Sequence, residues 1–330
     1  MKEKVLTAGL LKKGEDINTL QVSLSELEGL VKTAGGEVVA SVTQRCDSPD
    51  PAYYIGRGKT AEISGICESE NIRTVVFDDE LTPAQTKNLE SAIDAKVIDR
   101  TRLILDIFAK RAKTKEGILQ VELAQLEYML PRLSGKGKTF MQQTGGIGTI
   151  RGPGEKKLEM EQRRIREHIA SLKSQINKIK LHRDLQREKR HSVPLPIITI
   201  VGYTNAGKST LFNYLMQNYS KGIEHKNIYV DDKLFATLDP TTKRIKLPKG
   251  TQALFVDTVG FISKLPHDLV AAFRATLEEA LNADIILNVI DSASQYKDMQ
   301  IETVYNAVSY THLRAHETVL DLVCRLLLEK

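Results

Sequence analysis

Residues 202–209 read Gly202-Tyr203-Thr204-Asn205-Ala206-Gly207-Lys208-Ser209 and fill every fixed position of G-x-x-x-x-G-K-[ST]. The apolar run Pro196-Ile-Ile-Thr-Ile-Val201 precedes them and a helix-forming stretch, Thr210 to Met216, follows. This is a strand, a phosphate-binding loop and a helix. Backbone N–H groups must converge on an anion, which needs glycine where the chain turns tightly and where a side chain would block approach. Gly202 and Gly207 meet that need. Lys208 is placed to reach β and γ phosphates, the Ser209 hydroxyl to ligate Mg²⁺, and the helix to aim its positive end at the phosphates.

Working outward, Gln252-Ala-Leu-Phe-Val-Asp257 reads as a buried strand ending in an acid, followed by Thr258-Val259-Gly260, a D-x-x-G element. Asp257 is a candidate to hold Mg²⁺ directly or through water, and the Gly260 N–H to sense a γ phosphate. Between loop and D-x-x-G, Phe235-Ala-Thr-Leu-Asp-Pro-Thr-Thr242 offers Thr237 as a switch threonine closing on Mg²⁺ and the γ phosphate. The expected nucleotide-binding set is Gly202, Tyr203, Thr204, Asn205, Ala206, Gly207, Lys208, Ser209 and Thr210, with Asp257, Thr258, Val259 and Gly260. Lys208, Thr237 and Gly260 form the expected catalytic set; Ser209, Thr237 and Asp257 the metal set.

Position 261, where many GTPases carry a water-orienting glutamine, is Phe261. A phenyl ring cannot hold a water in line. Intrinsic hydrolysis should therefore be slow unless another group or a partner completes the site. The Asn205 amide oxygen is a candidate ligand for K⁺ near the β and γ phosphates, and equal turnover in potassium and sodium buffers would count against it.

Upstream, Leu119, Leu123, Leu126, Leu130 and Leu133, then Leu158, Ile165, Ile169, Leu172, Ile176 and Ile179, recur at heptad spacing. Each seam is too short to be stable alone, which favours an antiparallel helical hairpin, a short coiled coil. Its tip, residues 134–154, holds seven glycines and three basic residues without an acid, with Phe140, Met141, Ile147 and Ile150 interspersed. That mixture is unlike a Gly/Ser spacer. It suits RNA, with Phe140 for stacking and Lys136, Lys138 and Arg151 for phosphates.

The first hundred residues alternate β-rich runs (Glu37 to Val42, Thr74 to Phe77, Lys96 to Ile98) with helical ones near Leu24 to Thr33, Lys59 to Ser69 and Pro83 to Ile93. A small α/β domain with a mainly parallel sheet follows. Thr82-Pro83-Ala84-Gln85 predicts a capped helix start. Asp78 and Asp79 end a strand, where a parallel sheet often places ligands, but read better as a solvated turn before the helix; Tyr54-Ile-Gly-Arg-Gly-Lys59 reads as a turn, with a functional role left open.

The 330 residues exceed one ordinary core, and 41% apolar with 27% charged residues belongs to a soluble globular protein. No apolar run is long enough to span a membrane and Met1-Lys-Glu-Lys leads into no signal core, so a cytoplasmic protein is expected. Cys46, Cys67 and Cys324 show no metal spacing and read as idle thiols. Net charge is +5, yet residues 151–190 alone carry +7, leaving −2 elsewhere. Charge alone allows either a polyanionic partner or a solvated helix face.

The ordered set Thr43-Gln-Arg45, Tyr54-Ile-Gly-Arg-Gly-Lys59, Phe77-Asp-Asp-Glu80, Ile98-Asp-Arg-Thr101, Ile104-Leu-Asp-Ile-Phe108, Gln120 to Leu126, Gly145-Gly-Ile-Gly148, Arg151-Gly-Pro-Gly-Glu155, the phosphate loop, Ala236-Thr-Leu-Asp-Pro240 and Asp257 to Phe261 resembles the HflX family of ribosome-associated GTPases. The resemblance implies an α/β protein in parts: a small N-terminal α/β domain (1–103), a helical hairpin (104–192) directed into the large ribosomal subunit with its Gly-rich loop 134–154, and a P-loop GTPase domain (193–308) with a mainly parallel sheet. It implies GTP hydrolysis to GDP and phosphate, Mg²⁺, the large subunit and its rRNA as partners, a monomer, and separation of stalled or stressed ribosomes. It favours RNA as the reason for the basic segment.

After Ser294 only 36 residues remain, no N-K-x-D occurs, and residues 309–330 are unlike the family. The expectation is a G domain incomplete at its C-terminus, joined to unrelated sequence, with weak or unselective GTP binding by the chain as written. Without N-K-x-D, an ATPase stays open, as does an RNA-binding protein whose nucleotide domain is inert.

Overall fold

The computed structural model describes residues 2–133, 153–191, 195–219, 234–235, 240–247, 250–264 and 283–312. The chain divides into two compact units, residues 1–109 with 119–177, and residues 110–118 with 178–330.

The first unit is built on β1 (Glu3–Lys12), α1 (Ile17–Ala34), β2 (Gly36–Cys46), α2 (Arg57–Glu70), β3 (Thr74–Phe77), α3 (Pro83–Ile93), β4 (Lys96–Asp99) and α4 (Arg100–Arg111). Its four strands lie in the order β2-β1-β3-β4, all pairs parallel. The sequence reading had no β1. That strand is central, its residues Val5 to Leu11 are buried without a break, and it therefore lacks the two-residue alternation that marks a half-exposed strand. Helix α1 packs tightly on it: a Cβ on Gly9 would come within 3.0 Å of Leu20 and Leu24 side chains. The helix starts where expected at α3, with Thr82 and Gln85 closing a reciprocal capping box and Pro83 in the first turn.

Asp78 is no solvated turn. It is 1% exposed, accepts a hydrogen bond from Ser23 Oγ at 2.6 Å, and pairs at 2.8 Å with Arg100, itself 1% exposed. Glu26 pairs with the same guanidinium. Two acids beside a helix cap look like surface in one dimension; the cation that buries Asp78 comes from the start of α4, beyond β4. Asp79 takes the Tyr54 hydroxyl and pairs with Lys12 at 3.5 Å. Burial, with the Asp79 carboxylate next in effect, pushes the Tyr54 phenol well above its ordinary pKa.

Helix α4 sends Leu103, Ile104, Leu105, Ile107 and Phe108 into buried positions, so the expected boundary after residue 103 falls inside a helix. Helices α5 (Lys115–Leu133) and α6 (Pro153–His191) follow. On α6 the heptad positions are the shielded ones, Ile169 and Leu172 buried and Leu158, Ile165 and Ile176 partly buried among mainly exposed neighbours; on α5 Leu119 and Leu123 are buried and Leu126 and Leu130 partly buried, but Val121, Ala124 and Tyr128 off the heptad are buried as well. Two surface contacts tie the helices together, His168 Nε2 to Glu122 at 3.4 Å and an ion pair from Lys173 to Glu127 at 2.8 Å. Asp99 anchors α5 at its far end, taking the Tyr128 hydroxyl at 2.8 Å and Arg132 Nη2 at 3.2 Å. The Gly-rich segment, with Lys136, Lys138, Phe140, Met141, Ile147, Ile150 and Arg151, lies outside the described residues.

The second unit holds β5 (Ile197–Gly202), α7 (Lys208–Tyr219), β6 (Thr241–Lys246), β7 (Gln252–Asp257), β8 (Ile285–Val289) and α8 (Lys297–His312). Strand order is β6-β7-β5-β8, with β5 parallel to β7 and β8, and β6 antiparallel at one side. Ile200, Phe212, Met216, Ile245, Ala253 and Phe255 form its apolar centre. Helix α8 runs across residue 308, where a foreign tail was expected to begin. Among the described residues no helix is long and apolar enough to cross a membrane.

Candidate nucleotide site

The parallel strands β5 and β7 end side by side, at Gly202 and Asp257, and everything that follows each strand is brought to the carboxyl edge of the sheet. Parallel α/β sheets place ligands there. Gly202 is required by a close approach: a Cβ would lie 2.4 Å from the Val289 carbonyl oxygen of β8. Gly207 has φ 90 and Asn205 φ 61, so the loop winds through left-handed backbone before α7 begins at Lys208.

Lys208 is 6% exposed, and its Nζ donates to the carbonyls of Gly202 at 3.1 Å and Tyr203 at 2.6 Å. Burial pulls its pKa down to about 8, with the Asp257 carboxylate opposing the shift. A buried ammonium held mainly by neutral carbonyls gains strongly from an anion beside it. Ser209 Oγ donates to Asp257 Oδ2 at 2.9 Å, and Asp257 is fully buried. A hydroxyl and a carboxylate so placed form an oxygen donor set suited to Mg²⁺.

The D-x-x-G segment is laced to the loop. Thr258 Oγ1 donates to the Ile200 carbonyl at 2.6 Å, the Phe261 N–H to the Gly202 carbonyl at 3.0 Å, and the Thr204 N–H to the Phe261 carbonyl at 2.7 Å. Gly260 is thereby pressed onto the loop: a Cβ there would meet Thr204 Cα at 2.7 Å and Lys208 Nζ at 2.9 Å. Gly260→Ala must displace the loop backbone or the lysine. It is expected to lower single-turnover triphosphate hydrolysis by about 100-fold, and a wild-type rate would contradict this coupling.

Of the expected site residues, the structure brings together Gly202, Tyr203, Thr204, Asn205, Ala206, Gly207, Lys208, Ser209 and Thr210 with Asp257 and Gly260. Thr258 and Val259 follow Asp257 in the same segment, buried at 0% and 1% exposure, with the Thr258 hydroxyl held by the Ile200 carbonyl. Thr237 lies outside the described residues. Phe261 is 6% exposed, its ring packed into the protein. Sequence reading passed over one contact: the Tyr203 hydroxyl accepts the Ser263 N–H at 2.8 Å, a second tie between loop and D-x-x-G segment. Nothing in the sequence pairs two residues sixty apart.

Three family models match in order: "GTP-binding GTPase N-terminal" over residues 21–109, "GTP-binding GTPase Middle Region" over 111–190, and "50S ribosome-binding GTPase" over 197–320. The third continues past residue 308, where the resemblance was expected to stop. A protein called GTPase HflX from Caldanaerobacter subterraneus subsp. tengcongensis is 49% identical over 93% of this chain and 69% of its own length. One from Lacrimispora saccharolytica is 51% identical over 87% and 66%, and one from Escherichia coli 44% identical over 91% and 68%. The chain thus spans about two thirds of the length of these relatives. Among solved structures, a complex of SsGBP with GDP is 27% identical, with a TM-score of 0.52, covering 94% of this chain and 78% of that one.

Proposed function

The chain belongs to the HflX family of GTPases, and from that premise we propose that it is a cytoplasmic, GTP-controlled factor of the large ribosomal subunit that separates the subunits of stalled or stressed ribosomes. The observation that carries the enzymatic half is the convergence of Lys208, Ser209, Asp257 and Gly260 at one sheet edge. The ribosomal half is supported by the basic, glycine-rich chemistry of residues 134–190 and by the description of the family model matched by residues 197–320.

In this reading Lys208 leaves the carbonyls of Gly202 and Tyr203 for the β and γ phosphates, where its charge counters the negative charge moving to the bridging oxygen. Ser209 and Asp257, with Thr237, would hold Mg²⁺, which when bound would neutralise phosphate charge. Asn205 is the residue proposed to hold K⁺. Gly260 offers its N–H to the γ phosphate, and because it is tied to the loop through Phe261 and Ser263, loss of that phosphate is transmitted to the switch segment. GTP favours the ribosome-bound conformation; hydrolysis permits release. The protein acts as a monomer. GDP bound to the SsGBP relative supports guanine over adenine nucleotides.

Sedimentation with purified large subunits tests the partner. More chain should pellet with a non-hydrolysable GTP analogue than with GDP or an ATP analogue. Equal pelleting in all three conditions would instead mean an RNA-binding protein with an inert nucleotide domain.

A further inference from the structure

Among the described residues the usual group that orients the attacking water is missing, since Phe261 stands where a glutamine serves elsewhere and its ring is buried. Thr204 lies on the loop segment hydrogen-bonded to Phe261. It is 7% exposed, and its Oγ1 has no hydrogen-bond partner among the described residues. A buried hydroxyl without a partner is costly unless a ligand satisfies it. Its location is informative as well. The point occupied by a Cβ built on Gly260 lies 2.7 Å from Thr204 Cα, 2.9 Å from Thr204 Cγ2 and 2.9 Å from Lys208 Nζ. Thr204 therefore adjoins both groups expected to address the γ phosphate. Its own N–H is fixed to the Phe261 carbonyl, which holds the residue in place.

We propose that Thr204 is a further catalytic residue, whose hydroxyl accepts a hydrogen bond from the attacking water and donates its own proton to a γ-phosphate oxygen. A hydroxyl has the one donor and two acceptor positions that this double contact needs. In the step it serves, the water oxygen bonds to the γ phosphorus while the bond to the β–γ bridging oxygen breaks. The bridging electron pair leaves with GDP; one water proton stays on the inorganic phosphate and the other passes to solvent. Thr204 orients and is unchanged at the end. Threonine also packs through Cγ2, so packing and catalysis must be separated experimentally.

The inference rests on the GTPase reading, and two variants test it. Thr204→Val keeps the shape and removes the hydroxyl; Thr204→Ser keeps the hydroxyl and removes the methyl group. Single-turnover GTP hydrolysis and GDP affinity are measured for each and for the wild type, with large ribosomal subunits present. Thr204→Val should lose roughly 10- to 100-fold in rate, clearly more than it loses in GDP affinity, and Thr204→Ser should recover most of the rate. A wild-type rate in Thr204→Val would overturn the role of Thr204 alone, as would equal losses in both variants, which would mean packing. Absence of turnover in the wild type would overturn the GTPase reading together with it.

Discussion

Lys208→Ala is expected to lower GTP turnover by about 100- to 1,000-fold, the usual loss when one preorganised charge on a developing oxyanion is removed. The expectation follows from where the ammonium sits. It is buried at the end of β5, satisfied by two backbone carbonyls, and its pKa is pulled down to about 8 by burial. Such a group is held ready for an anion. Without nucleotide, the variant should lose little stability, because the burial cost relieved offsets the two hydrogen bonds lost. A thermal melt with and without GDP checks both sides: similar midpoints without nucleotide, and a smaller GDP-dependent rise in the variant. A GDP-dependent rise as large as that of the wild type would remove Lys208 from the phosphate site.

Asp78→Ala carries the largest expected effect on stability, about 3–5 kcal/mol in the N-terminal unit, because it leaves the buried Arg100 guanidinium short of a carboxylate. Glu26 still pairs with Arg100 but cannot replace Asp78, which also takes the Ser23 hydroxyl. The triple variant Asp78→Leu, Arg100→Met and Glu26→Gln should recover most of the loss, since replacing the whole buried ion cluster by uncharged groups is far cheaper than breaking it. Amide exchange in β1, β3 and α1 reads the result. Unchanged exchange in Asp78→Ala would mean that the ion cluster does not hold these elements together.

What could be read from the sequence was local. The phosphate loop declares itself because glycine, lysine and serine occupy fixed positions between a strand and a helix, and the capping box of Thr82 and Gln85 because its partners are three residues apart. The heptad seams were visible for the same reason. Strand β1 was not, because a strand buried on both faces has no alternation and this one begins among charged residues. The Asp78 and Arg100 pair, the Asp99 anchor of α5 and the Tyr203 tie to Ser263 all join residues brought together only by the sheets. Distance along the chain hid them. The burial of Thr258 was equally hidden: D-x-x-G specifies the ends of the segment, while the hydroxyl at its second position finds the Ile200 carbonyl only once β5 and β7 pair.

The same limit applies to Phe261. Its identity says that the usual water-orienting amide is missing, and its ring is buried. A partner-dependent enzyme is what the proposed function expects. GTP turnover by the wild-type chain, measured with and without purified large ribosomal subunits in one potassium buffer, tests this directly. Slow turnover alone and acceleration of at least about 10-fold with subunits are expected; the same rate under both conditions would contradict a ribosome-controlled GTPase.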